Sequence, residues 1–227
     1  MSDADRWESF ARSDAAFYIV GRTVDADHAA DVERFFESGR KTATWLFKQV
    51  GDDLPGTGLG IEIRCGVGRL LLPMAEHFDR VIGVDVSPTM LTRLVDNCHR
   101  FGIENAEPMT ADDPWDHRDR ADFVYSWIVF QHVEDLTTIK TTIRRASTAL
   151  KPGGVALFQF DTRPRTAAYL VRNALPDIVL PRLWRRGIRR IRRRPDRIAA
   201  ILDAAGLRTL REHGAGTDVH VFTLIRD

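Results

Sequence analysis

Apolar and polar positions alternate in two rhythms along the central part of the chain. Short apolar runs bounded by turn residues, at 60–65, 80–85, 105–110, 121–127 and 155–160, read as strands. Between several of them, apolar residues recur three and four apart, the spacing of one helical face. Ser87-Pro88 supplies an N-cap and a proline suited to the first helical position, and Gly102 closes that helix. Asp135 is expected to cap another, whose Leu136, Ile139, Ile143 and Leu150 share a face until Lys151-Pro152-Gly153-Gly154 ends it. Further helices are expected at 69–78 and near 196–205, and runs at 207–211 and 219–225 read as a terminal hairpin. Strand and helix in alternation predict an open α/β sheet, mostly parallel, with an antiparallel edge strand.

Composition narrows this picture. The 227 residues suffice for one full core, and no apolar stretch approaches the roughly 20 residues of a membrane span. The opening MSDADRWESF is acidic and polar, unlike a leader, and two cysteines give neither a disulfide framework nor a four-ligand zinc site. A cytoplasmic location is the expectation. The net charge of +1 conceals an imbalance: residues 1–55 carry 7 Lys/Arg against 11 Asp/Glu, and residues 160–227 carry 15 against 7.

In such a sheet, ligands bind beyond the carboxyl ends of the strands. The first strand carries Glu62 and leads into Gly66 and Gly68; the second ends in Asp85; the third runs to Asp112-Asp113. A tight glycine turn, a carboxylate for ribose hydroxyls and a carboxylate for an exocyclic amine describe an adenosine site. A dinucleotide loop is disfavoured, because the position of its third glycine holds Leu71.

The stretches IEIRCGVGRL, VIGVDVSPTML, TADDPW, ADFVYSWIVFQHV and LKPGGVALF, in this order, resemble the class I S-adenosylmethionine (SAM)-dependent methyltransferases from residue 58 onward. The resemblance implies a Rossmann-like, doubly wound, seven-stranded sheet over 56–227, SAM as methyl donor and S-adenosylhomocysteine (SAH) as product. It implies that Glu62, Arg64, Cys65, Gly66 and Gly68 face the methionine part of the cofactor. Asp85, with Val86 and Met90 after it, would hold the ribose side. Asp112 and Asp113 would hold the adenine amine, with Trp115 as its cover, and Ile128 would lie near the sulfonium. Residues 1–55 are expected as a helical lid from which Tyr18, Arg22 and Arg40 reach the cofactor carboxylate, with His28 at the surface.

Arg64 departs from this pattern, standing where a small residue is usual; strand parity would place it on the side of Glu62. Methyl transfer needs alignment and, for a hydroxyl acceptor, a base. His132 is the expected base, with Asp161 as a second candidate, and no metal is expected, Glu134-Asp135 reading equally as a helix start. SWIV after the fourth strand argues against a nucleobase amine and for an oxygen nucleophile. The basic insert at 162–195 is expected to cover the substrate. Its Leu180, Leu183, Trp184, Ile188 and Ile191 read as one helical face opposite nine arginines between Arg182 and Arg197. Gln131, Asp161, Tyr169, Trp184 and Arg189 are the expected substrate contacts. The expected function is O-methylation of a small molecule or saccharide, anionic in one reading, with a non-catalytic cofactor-binding regulator and an RNA methyltransferase as alternatives. Nucleic acid is a disfavoured partner, and a homodimer is left open.

Overall fold

A computed structural model describes residues 3–20, 29–115, 117–181, 184–185 and 188–227, without the side chains of 3, 14–20 and 29. Two helices, α1 (Asp3–Val20) and α2 (Ala29–Val50), precede the sheet. Then follow β1 (Leu59–Ile63), a short α3 (Leu71–Met74), β2 (Arg80–Asp85), α4 (Pro88–Phe101) and β3 (Ala106–Thr110). The second half runs β4 (Ala121–Ser126), α5 (Leu136–Ala149), β5 (Leu150–Phe160), α6 (Ala167–Ala174), α7 (Pro195–Asp203), β6 (Leu207–His213) and β7 (His220–Arg226). The strands form one seven-stranded sheet in the order β3-β2-β1-β4-β5-β7-β6. The chain turns back between β3 and β4, so β1 and β4 are the neighbours at the topological switch.

The expected doubly wound sheet is present, with one refinement. The antiparallel strand β7 lies one place in from the edge, between β5 and β6, because the terminal hairpin folds its second strand onto β5. The signals at α4 and α5 act as read: Ser87 Oγ accepts from Met90 N, Gly102 takes φ 66°, and both Asp135 oxygens accept backbone N–H groups, from Thr137 and Thr138. The helix expected at 69–78 shrinks to four residues. Of the helical face expected from 180 onward, Leu183 lies outside the described residues, and no helix spans the described residues between Leu180 and Arg194. Its arginines bond to carbonyl oxygens instead, which holds that segment in irregular backbone: Arg193 to Phe130 and Val133, Arg192 to Pro164, Arg185 to Leu180. Sequence pattern gave no sign of α6.

Core packing explains where the N-terminal helices sit. Along α2 the buried positions Val32, Phe35, Ala43, Leu46 and Val50 recur at helical spacing, and Gly39 falls on the same stripe. A Cβ at Gly39 would lie 2.1 Å from the Arg69 carbonyl oxygen, so only glycine lets α2 approach the turn after β1 this closely. On α1, fully buried Ala11 packs with Phe35, Val67 and Met90. Glu8 then ties α1 to the start of α4: its carboxylate accepts from Ser87 Oγ at 2.6 Å, Thr89 Oγ1 at 2.6 Å and Thr89 N at 3.2 Å. The hydrogen bonds from Ser87 and Thr89 hold the Glu8 carboxyl down at about 2.

Candidate cofactor site

The ends of β1, β2 and β4 open into a cavity lined by Glu62, Cys65, Gly66, Arg69, Asp85, Met90, Trp127 and Ile128, with Trp7 of α1 over it. Residues from three sheet strands and from the N-terminal extension thus meet in one place.

Asp85 anchors it. The buried carboxylate accepts from Gly66 N at 2.9 Å through Oδ2 and from Ser87 N at 3.0 Å through Oδ1, joining the glycine turn to the end of β2. Burial raises its pKa, against the Arg64 cation and the N–H groups of Ser87, Gly66 and Val86. Gly68 has φ 87°, and a Cβ there would come within 2.5 Å of Leu72 and Leu94 side-chain atoms, so this turn requires glycine. Cys65 contributes backbone only: its thiol is buried against Gly83, where a Cβ would lie 2.8 Å from the sulfur.

Glu62 is 4% exposed, and burial pushes its pKa up to about 8, against the pull of the Tyr125 hydroxyl, which donates to it at 3.2 Å, and of Arg69. Arg69, which sequence pattern read only as the start of a helix, is the buried cation of the cavity. Its Nη1 donates to Ser38 Oγ at 3.4 Å, and its Nε is buried with no hydrogen-bond partner. Burial lowers its pKa, and Glu62 raises it. Arg40, expected here, pairs with Glu76 at the surface and does not line the cavity. Tyr18 has no described side chain, and Arg22 and His28 lie outside the described residues.

Arg64 lines the same cavity as Glu62. It follows the last residue of β1 with φ 61°, and its N donates to Val84 O at 2.6 Å. The left-handed turn carries the guanidinium into the field of Asp85, while Arg69 is the cation acting on Glu62. Arg64 also lines a second hollow, between the loop after β3 and α5, together with Val86, Asp112, Trp115 and Thr141. It therefore stands at the junction of the two spaces. In the second hollow Asp112 is exposed, and Trp115 packs on the core with its buried Nε1 unpartnered. Asp113 is a turn residue, its Oδ2 accepting from Thr110 N at 2.9 Å.

Ile128 is the other non-glycine residue of this region at positive φ, 57°, an unusual backbone for a β-branched side chain. Gln159 holds it there: Oε1 accepts from Ile128 N at 3.0 Å, while Nε2 donates to Asp218 O at 2.6 Å and Gln131 Oε1 at 3.1 Å. Sequence reasoning missed Gln159, which shows there only as an interior residue of a strand.

The expected substrate residues are placed otherwise, and none lines the cavity. Gln131 is fully buried in the Gln159 network, with its own carbonyl accepting from Ile191 N. Asp161 is fully buried and bound by Arg163, at 2.5 Å to Nη2. Tyr169 is buried and accepts from Arg192 N at 3.0 Å; Trp184 is exposed under Arg172; Arg189 donates to Asn173 O. His132 lies beside Trp7, ring centroids 6.4 Å apart, and also off the cavity wall. Burial, then Arg190, depresses its pKa to about 4, which makes it a weak base. Among the described residues no cluster of His, Cys, Asp or Glu has the makings of a metal site, and no helix is long and apolar enough to cross a membrane.

With this geometry in view, comparison with known proteins is informative. The model of a methyltransferase domain family matches residues 28–212. The chain belongs to that family. The crystal structure of magnesium protoporphyrin IX methyltransferase from Synechocystis PCC 6803 with bound SAH is similar at TM-score 0.66 and 18% identity, over 99% of this chain and 98% of that one. A SAM-dependent methyltransferase from Clostridium acetobutylicum ATCC 824 gives 0.64 and 14%, over 81% and 89%. Among curated proteins, a 23S rRNA (uracil(1939)-C(5))-methyltransferase from Xylella fastidiosa (strain 9a5c) is 39% identical over 70 residues, 30% of this chain and 16% of that protein. A ubiquinone biosynthesis O-methyltransferase from Methylobacterium sp. (strain 4-46) is 30% identical over 96 residues, 42% of this chain and 37% of its own length. These matches reach well under half of the curated relatives' lengths.

Proposed function

We propose that this chain transfers a methyl group from SAM to a hydroxyl oxygen of a small molecule or saccharide. The observation that carries the reading is the Asp85–Gly66 bond, which fixes a buried carboxylate at the end of β2 against the glycine turn of β1. The residues present fit the donor. The Asp85 oxygens accept N–H groups from Gly66 and Ser87 and keep lone-pair capacity for a ribose hydroxyl. Arg69, buried with Nε unpartnered, suits the amino-acid carboxylate, and Glu62 suits its ammonium. Asp112, Val86 and Trp115 line the space for the base.

When bound, SAM would supply an electrophilic methyl: a carbon–oxygen bond would form as the carbon–sulfur bond broke, the electron pair leaving with the neutral thioether and the hydroxyl proton passing to solvent. The chain's part is alignment and exclusion of water. Trp7, Met90 and Ile128 wall the cavity, and Gln159 keeps the Ile128 backbone in its strained turn at the reacting end. Preference for oxygen rests on the apolar Trp127-Ile128-Val129-Phe130 after β4, which offers no side-chain acceptor for an amine. The test is transfer of an isotope-labelled methyl from SAM to a panel of hydroxylated small molecules and sugars, with the product located by mass spectrometry. A labelled methyl ether is expected. Label on nitrogen or carbon, or SAH binding with no transfer to any hydroxyl, would overturn the assignment.

A further inference from the structure

Outside the cavity and the hollow beside α5, the described structure has a further concave surface at the same end of the sheet. It lies between α2 and the turn of the β6–β7 hairpin, and Trp45, Trp127 and His213 form its aromatic walls. Trp127 belongs to both spaces: it lines this groove and the cavity that holds Glu62 and Asp85. Trp127 is therefore the wall that the groove and the cavity share.

Its chemistry is one-sided. The ring centroids of Trp45 and Trp127 are 5.5 Å apart at 54°, and those of Trp45 and His213 6.0 Å apart at 58°. Neither pair is closed face to face, which leaves ring surface to a ligand. The threonine hydroxyls at the rim are spent on backbone: Thr42 donates to Ser38 O at 3.0 Å and Thr217 to Gly214 O at 2.7 Å. A saccharide requires several directed donors and acceptors, and this groove presents aromatic faces with few of either. Lys41 adds a cation at the edge. Its pairing with Glu37 is long, 3.7 Å, and exposed, so it is readily exchanged for another anion.

We propose that this groove is the methyl-acceptor subsite and that the acceptor is a planar hydroxylated aromatic with a carboxylate. The ring lies against Trp45 and Trp127, the hydroxyl points past Trp127 toward the cavity, and the carboxylate meets Lys41. As the new carbon–oxygen bond forms and the carbon–sulfur bond breaks, the ring hydroxyl gives its proton to solvent. The inference rests on the methyltransferase reading above and narrows its acceptor class.

Calorimetry on the SAH-saturated full chain tests it, with 3,4-dihydroxybenzoate, catechol, 1-naphthol and glucose as probes. Saturable binding of the aromatic probes, tighter than glucose, is expected. Trp45→Ala should weaken them about tenfold with SAH affinity unchanged. Lys41→Glu, on the exposed surface of α2, should weaken 3,4-dihydroxybenzoate about fivefold and leave catechol unchanged, which keeps the test decisive if Trp45→Ala fails to fold. SAH binding without binding of any aromatic probe, tighter binding of glucose, or indifference to both groove variants would overturn the subsite and leave the methyltransferase reading intact. Absence of SAH binding to the native chain would remove both.

Discussion

The two hollows that meet at Arg64 are built by different means. The cavity under Trp7 is made from the ends of β1, β2 and β4, and its carboxylates Glu62 and Asp85 are buried with their hydrogen bonds already in place. The hollow beside α5 is made from the loop after β3. Asp112 there is exposed, Asp113 is used by its own turn, and the Trp115 Nε1 has no partner. Strand ends inherit their precision from the sheet, because a register fixes each terminal residue to within a fraction of an ångström. A loop has no such support, so its half of the site gains order from whatever fills it. The half proposed for the amino-acid part is thus preorganised, and the half proposed for adenine rests on an exposed loop.

The contrast breaks most easily at Asp85. Asp85→Ala removes the acceptor for Gly66 N and Ser87 N together with the ribose contact. Loss of about 3 kcal/mol, about a hundredfold in SAH affinity by calorimetry, is expected. Glu62 sharpens the same half. With its pKa near 8 the group is mostly protonated at pH 7, and a ligand ammonium beside it favours the carboxylate. SAH binding at pH 7 should therefore release a proton, seen as heat that depends on the buffer's ionisation enthalpy. Glu62→Gln should abolish that dependence and cost about tenfold in affinity, a hydrogen bond to a charged group being worth about 1.5 kcal/mol. In the loop half, Asp112→Ala should cost only about threefold in affinity, since a rim contact that water can replace is worth a few tenths of a kcal/mol to about 1 kcal/mol.

The smallest effect concerns α1. Glu8 has its folded-state pKa lowered from 4.5 to about 2, so its contribution is present above 4.5 and lost as pH falls through that window toward 2. α1 should come away from α4 over that range, visible in Trp7 fluorescence, and Glu8→Gln should flatten the transition.

Much of the preorganised half was legible in the sequence. Gly66, Gly68 and Asp85 announce themselves because a tight turn and a strand-end carboxylate leave few alternatives, and Ser87 and Gly102 mark α4 for the same reason. What escaped depends on contacts between distant segments. Arg69 looked like a helix start until α2 buried it against Ser38. Gln159, an interior strand residue, acquires its meaning from Ile128, Gln131 and Asp218. The arginines after 182 matched a helical period, yet carbonyl oxygens of other segments compete for them and win, so the period was coincidental. Arg64 shares the cavity with Glu62, the side that strand parity gave it. What parity could not give is the turn: β1 ends one residue earlier, the Arg64 backbone is left-handed at φ 61°, and its cation acts on Asp85.

Arg64 is consequently the point at which the whole account is most exposed. The left-handed backbone costs a non-glycine residue about 1 kcal/mol, and its side chain lines both spaces that SAM would span. The most direct measurement is a calorimetric titration of SAH into the native chain and into Arg64→Gly. One-to-one binding to both is predicted, with the variant about fivefold tighter and more stable to heat by about 1 kcal/mol. Binding to the variant alone, or to neither, would contradict a working SAM site in this protein.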